Sequence, residues 1–160
     1  MTFDKKAVLS LFQKTLSDKI KALSEEALSQ KDAATNEESK AENKYDTRGL
    51  EASYIAQAYA TRIKEMQEGL YFLNKTEVSP FNKKIKVGDI VEIFDIEKNT
   101  AKDGNQYFVI LPTGGIEIVY NGVQVRSLSL TSPLGSKLLG LEDGVDLKLN
   151  KKTLEITKVY

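Results

Sequence analysis

Residues 4–33 read DKKAVLSLFQKTLSDKIKALSEEALSQKDA, and within them Leu9, Phe12, Leu16, Ile20, Leu23 and Ala27 recur at intervals of three and four without proline or glycine. That spacing places all six on one side of a 3.6-residue helix, so the stretch predicts a long amphipathic helix. A second stripe, Ala52, Ile55, Tyr59, Ile63, Met66, Leu70 and Leu73, repeats the interval after a polar stretch. Each stripe is narrow, like a coiled-coil seam: too thin to fill a core, wide enough to zip against one partner. The economical arrangement is an antiparallel helical hairpin over residues 1–76. At about 1.5 Å per residue, roughly 30 helical residues span about 45 Å, so the hairpin should project well beyond an ordinary domain. Its far end carries the polar segment from Asp32 to Gly49. Gly69 interrupts the second stripe at about 1 kcal/mol relative to alanine and predicts a point of fraying or bending. The second helix should end before Ser79-Pro80.

Beyond Pro80 the apolar period becomes strand-like. Ile90–Ile96, Gln106–Leu111, Ile116–Tyr120, Val123–Leu130, Val145–Leu149 and Leu154–Val159 are short runs rich in Val, Ile, Tyr and Phe. Turn chemistry separates them at Val87-Gly88-Asp89, Asp103-Gly104-Asn105, Thr113-Gly114-Gly115, Asn121-Gly122 and Asp143-Gly144. Ser132 as N-cap, Pro133 in the first helical position and Gly140 as a left-handed stop predict one short helix over Pro133–Leu139. The expected fold class is α+β: a coiled-coil-like hairpin, then an antiparallel sheet domain with one short helix over residues 77–160.

Composition narrows the function. The 160 residues are 41% hydrophobic and 29% charged, which fits a soluble folded protein and excludes a collagen-like or wholly disordered chain. No apolar run approaches the roughly 20 residues a bilayer crossing needs. The polar start, Met1 to Lys6, leads straight into the amphipathic pattern, so neither a signal peptide nor a transit sequence is expected, and the expected location is cytoplasmic. Cysteine and histidine are both absent, which removes disulfides, thiol nucleophiles, histidine triads and ordinary zinc sites. Any metal held here needs oxygen ligands, hence Mg²⁺ or Ca²⁺. Lys plus Arg equal Asp plus Glu at 23 each, which argues against broad clamping of nucleic acid and for a protein partner.

The segment Leu128-Ser129-Leu130-Thr131-Ser132-Pro133-Leu134-Gly135-Ser136-Lys137-Leu138-Leu139-Gly140 resembles the Ile-Ser-x-x-Ser-Pro-x-x-x-x-Leu-x-Gly segment of the Gre family of bacterial transcript-cleavage factors. The spacing to Gly144 and to the closing Leu154–Tyr160 run agrees, so the resemblance extends over Lys84–Tyr160. It implies an FKBP-like C-terminal domain without isomerase activity that docks on RNA polymerase at the rim of its secondary channel. The docking segment it implies includes Ser132 and Pro133, usually after an acidic residue; Thr131 stands in that place here. The alternative is that Ser132 and Pro133 serve only as a helix cap.

In the hairpin the likeness is mainly architectural, with a local echo at Arg62-Ile63-Lys64. The resemblance implies a tip reaching the polymerase active site, where two tip acids help hold the second catalytic Mg²⁺ and a water that hydrolyses backtracked RNA. Hard anionic oxygens are what such chemistry requires. Glu37, Glu38, Glu42 and Asp46 are the candidate acids, with Glu38, Glu42 and Asp46 on one face if the segment is helical, and Tyr45 is placed beside the RNA 3′ end. The family tip Asp-Leu-x-Glu-Asn-x-Glu-Tyr corresponds to Glu38-Ser39-Lys40-Ala41-Glu42-Asn43-Lys44-Tyr45. Anchored on Lys40 and Tyr45, Glu38 meets the first acid and Ala41 the second; anchored on Glu42-Asn43, Ser39 meets the first. No ungapped register keeps both. Asp46-Thr47-Arg48-Gly49 reads equally as the cap of the second helix.

The resulting expectation is a monomeric factor, not itself an enzyme, that binds RNA polymerase directly and the nascent RNA 3′ end indirectly. It needs no cofactor and holds no metal stably, the Mg²⁺ belonging to the polymerase. Alternatives are a channel-binding regulator or inhibitor without cleavage stimulation, a prolyl isomerase-like enzyme using Tyr107, Phe108 and Tyr120, and a homo-oligomer paired through the hairpin seams.

Overall fold

The computed structural model describes residues 2–35, 47–79, 83–96 and 105–160. Two long helices, α1 (Lys5–Thr35) and α2 (Arg48–Lys75), come first. Strands β1 (Ile90–Asp95), β2 (Gln106–Leu111), β3 (Glu117–Tyr120) and β4 (Val123–Ser129) follow, then α3 (Pro133–Leu138), β5 (Asp146–Leu149) and β6 (Lys152–Val159). This is the α+β architecture expected: a helical hairpin, one six-stranded sheet and one short helix.

The sheet order is β3-β4-β2-β1-β6-β5. Every neighbouring pair is antiparallel except β2–β4, which is parallel, a departure from the all-antiparallel expectation. The 112–116 connection carries the chain past the slot beside β2, and the tight Asn121-Gly122 turn, with both residues at positive φ, folds β4 back into it. Alternation of side chains identifies strands but not which neighbour each one takes.

Two clusters cover the two sheet faces. On one face Ile90, Val109, Leu111, Ile116, Ile118 and Val125 pack with Val8, Leu9, Phe12 and Leu16 of α1 and Met66 of α2. On the other, Val91, Ile93, Phe108, Ile110 and Ile156 pack with Leu138 of α3. Central strands buried on both sides read as continuous apolar runs, which is why β2 ends Phe-Val-Ile-Leu.

The hairpin base is thus part of the core, while its distal half is not. Among residues 17–32, 47 and 49–65 none is fully buried; Leu23, Ala27, Ala52, Ala56 and Tyr59 form a half-buried seam. Ile55 was expected in that seam but is 44% exposed, and the half-buried Ala56 beside it takes the inward position on α2. At Gly69 the expected fraying is absent. The helix runs through it, and an added Cβ would stand 2.3 Å from Thr113 Cγ2 and 3.5 Å from Leu16 Cδ1, so the glycine makes room for the sheet against α2. At the start of α1, Lys5 Nζ pairs with the Asp89 carboxylate and donates to the Ser79 carbonyl at 3.0 Å. Asp89 also accepts from the Lys86 amide at 2.8 Å, tying helix start, linker and β1 together.

Phe3 sits among Tyr107, Tyr120 and Tyr160 with ring centroids 5.1, 5.7 and 5.0 Å away. Phe108 faces the opposite cluster, so the aromatic trio considered for isomerase chemistry is split across the sheet. Below the rings the nearly buried Glu92 carboxylate accepts from Tyr160 Oη at 2.7 Å and from the Asn105 amide. Burial first, then this hydrogen bond and the Glu92 and Tyr107 charges, push the Tyr160 phenol well above its usual value. Tyr107 is raised too, by burial and then by Glu92. An acid whose folded pKa is raised contributes stability fully present below the unfolded value near 10 and lost as pH rises through the folded one. The urea midpoint should therefore fall as pH rises above about 10, and fall less in Tyr160→Phe. Equal pH slopes for the two proteins would place the titration elsewhere.

Candidate functional site

The Leu128–Gly140 segment begins with the last two residues of β4 and continues into the cap of α3. Ser132 is extended, with φ −69° and ψ 149°, and its Oγ accepts from the Gly135 amide at 3.0 Å while donating to the Ser129 carbonyl at 2.7 Å. The Ser132 amide also donates to that carbonyl at 3.1 Å. Ser129 Oγ in turn accepts from the Thr131 amide at 3.1 Å and lies 2.7 Å from Thr131 Oγ1. Gly140, at φ +80°, closes the helix as expected and donates its amide to the Ile85 carbonyl at 2.9 Å. The half-buried Ser132 hydroxyl is thus consumed in holding the loop. What the loop offers to another molecule is the exposed Thr131 and the exposed Pro133 ring.

A cleft of about 400 Å³ opens beside this loop, between α2 and the sheet, lined by Arg62, Glu65, Glu68, Pro112, Thr113, Gly114, Ser129 and Thr131. Arg62 Nη1 pairs with Glu65 at 2.9 Å and Nη2 donates to the Gly114 carbonyl at 2.9 Å, so one guanidinium links the hairpin to the sheet. Backbones approach closely here as well. A Cβ on Gly114 would lie 2.9 Å from the Ser129 nitrogen.

The expected tip residues Glu37, Glu38, Glu42, Tyr45 and Asp46 lie outside the described residues. On either side of them α1 continues past Asp32 to Thr35, and Thr47 is the N-cap of α2, its hydroxyl donating to Glu51 at 2.9 Å. Of the three residues expected to dock, Thr131 and Ser132 lie between β4 and α3, and Pro133 is the first residue of α3. Sequence reasoning missed the parts played by Ser129, Gly135, Thr113 and Glu68. The first two stand inside the quoted segment; the last two are far apart in the chain and meet only through packing. Among the described residues no cluster of three or more acidic side chains is placed to hold a metal, and no helix is long and apolar enough to cross a membrane.

No protein-family model matches this chain, and none of the curated proteins does. Among solved structures it is similar to the GreA factor homolog 1 (Gfh1) protein of Thermus thermophilus, at 14% identity over 92% of this chain and 94% of that one, TM-score 0.37. Thermus aquaticus Gfh1 aligns at 19% identity over 92% of each chain with TM-score 0.36. A further structure, of the transcription factor Gfh1, aligns at 18% identity over 94% of each chain with TM-score 0.36.

Proposed function

We propose that this chain is a Gre-like transcription factor that binds RNA polymerase, grips it with the Thr131-Ser132-Pro133 loop and passes its hairpin into the secondary channel. The observation that carries this reading is the division of the hairpin: a base rooted in the sheet core and a distal half that buries nothing beyond its own seam. A helix pair built this way extends its described distal half past the sheet core and draws stability there only from a narrow seam, which fits a part made to reach another molecule. The segment 128–140, with its serine cap and exposed proline, supplies the grip.

In this reading the protein is not an enzyme by itself and carries no cofactor. Carboxylates of the kind found at Glu37, Glu38, Glu42 and Asp46 are the ligand type Mg²⁺ takes, and their role is to lend oxygen atoms to the metal of the polymerase. The direct test is a backtracked elongation complex mixed with the protein. Short 3′ RNA fragments should be released, and Glu38→Ala with Glu42→Ala should return cleavage to the level of polymerase alone.

A second reading has its own observation: no ungapped register of residues 38–45 retains both family acids. Binding to polymerase without fragment release, together with slowed initiation or elongation that survives the double substitution, would favour a channel-binding regulator.

A further inference from the structure

We infer that Arg62 is a positioning residue: its guanidinium sets the angle at which the distal hairpin leaves the sheet domain. That this angle aligns the tip with the segment gripping polymerase rests on the docking role proposed above. Among the described residues, Leu16 of α1 and Met66 of α2 are the last buried side chains toward the tip. One turn beyond Met66, Arg62 reaches back to the sheet domain. Its Nη2 donates to the Gly114 carbonyl at 2.9 Å while Nη1 holds Glu65 at 2.9 Å. The same 112–116 connection meets α2 at the base as well, where Gly69 seats Thr113.

A helix held at its base pivots there, and a second support fixes its direction better the farther out it stands. At about 1.5 Å per residue, Arg62 stands about 10 Å from Gly69, Tyr54 about 22 Å and Arg48 about 31 Å. Play of about 1 Å at Arg62 therefore becomes about 2 Å at Tyr54 and about 3 Å at the start of α2.

The other side of the contact runs to the docking segment. Gly114 packs its backbone against Ser129, where an added Cβ would stand 2.9 Å from the nitrogen, and the Gly115 amide donates to the Ser127 carbonyl at 3.1 Å. The Ser129 carbonyl in turn accepts both hydrogen bonds from Ser132. Arg62 thus holds the hairpin against the piece of backbone that also seats the end of β4 and the cap of α3. A planar guanidinium suits the task, since one nitrogen meets the carbonyl while another meets the carboxylate. A lysine ammonium is a single point charge on a flexible stem and sets no angle.

The chain contains no cysteine, so spin labels can be placed in the full-length protein two substitutions at a time. Tyr54→Cys on α2 with Val119→Cys on β3 reports hairpin against sheet; the two positions are 63% and 68% exposed. Tyr54→Cys with Leu28→Cys, 61% exposed on α1, reports the hairpin alone. With Arg62 in place each pair should give one narrow distance distribution. Arg62→Gln and Arg62→Lys should each broaden or shift the hairpin-to-sheet distances, by about 2 Å per ångström of play at that position, and leave the hairpin pair unchanged. Melting should stay within about 4 °C of wild type, because the Arg62 and Glu65 side chains are 35% and 53% exposed and such pairs add little stability. An unchanged hairpin-to-sheet distribution in Arg62→Gln overturns the inference. Broadening of the hairpin pair as well would reduce Arg62 to a support of α2 and overturn it too.

Toward core RNA polymerase, Arg62→Gln should keep its affinity within about twofold while its effect on transcription, fragment release or slowing, falls about tenfold. Affinity that falls in step with the effect would make Arg62 a direct contact and overturn the positioning role. A wild-type protein that does not bind polymerase would remove the docking reading, and the distances in the free protein would still decide whether Arg62 sets the angle.

Discussion

Gly135→Ala should lower stability by about 3 kcal/mol, although helix propensity alone predicts a gain of about 1 kcal/mol for the same change. The steric effect wins because of what the new methyl would meet. It would stand 2.2 Å from the Ser129 carbonyl oxygen and 2.8 Å from Ser132 Oγ. The first of these is backbone, so no side-chain rotation relieves the clash. The same carbonyl accepts two hydrogen bonds from Ser132, so pushing it aside also loosens the cap of α3. For a chain of this size the melting temperature should fall by about 6–12 °C. A variant that melts at or above the wild-type temperature would show that α3 shifts at little cost.

Phe12→Ala should cost about 3–5 kcal/mol, the lost transfer energy of a buried ring plus the cavity it leaves. Phe12 has no exposed surface and lies between α1 and the sheet face. Leu28→Ala, on the same helix but 61% exposed in the distal half, should change stability by less than about 0.5 kcal/mol. Urea denaturation of both variants checks the pair. Similar losses at the two sites would mean that the hairpin folds as a unit of its own rather than being rooted in the sheet core. Under the proposed function the contrast is expected, since a rod that reaches a distant centre needs a stiff mount more than a stable far end.

Much of this was legible in the chain because the signals are local. The three-and-four spacing from Leu9 to Ala27 and from Ala52 to Leu73 gave both helices, and Ser132, Pro133 and Gly140 gave the ends of α3 to within a residue or two. The same local pattern placed Ser132 as the cap and Pro133 as the first residue of α3. It misled at Ile55, where periodicity alone cannot choose between an isoleucine and the alanine beside it.

Helix periods, caps and turn residues act between neighbours a few positions apart, so the sequence by itself determined the elements, their order and the hairpin. Tertiary structure decided how those elements meet. Only packing turned Gly69 from an apparent weak point into a seat for Thr113, inserted β4 beside β2 in parallel, and brought Arg62, Glu68, Thr113 and Thr131 around one cleft. Contacts between residues far apart in the chain depend on the shape both elements present, and no short-range pattern carries that information.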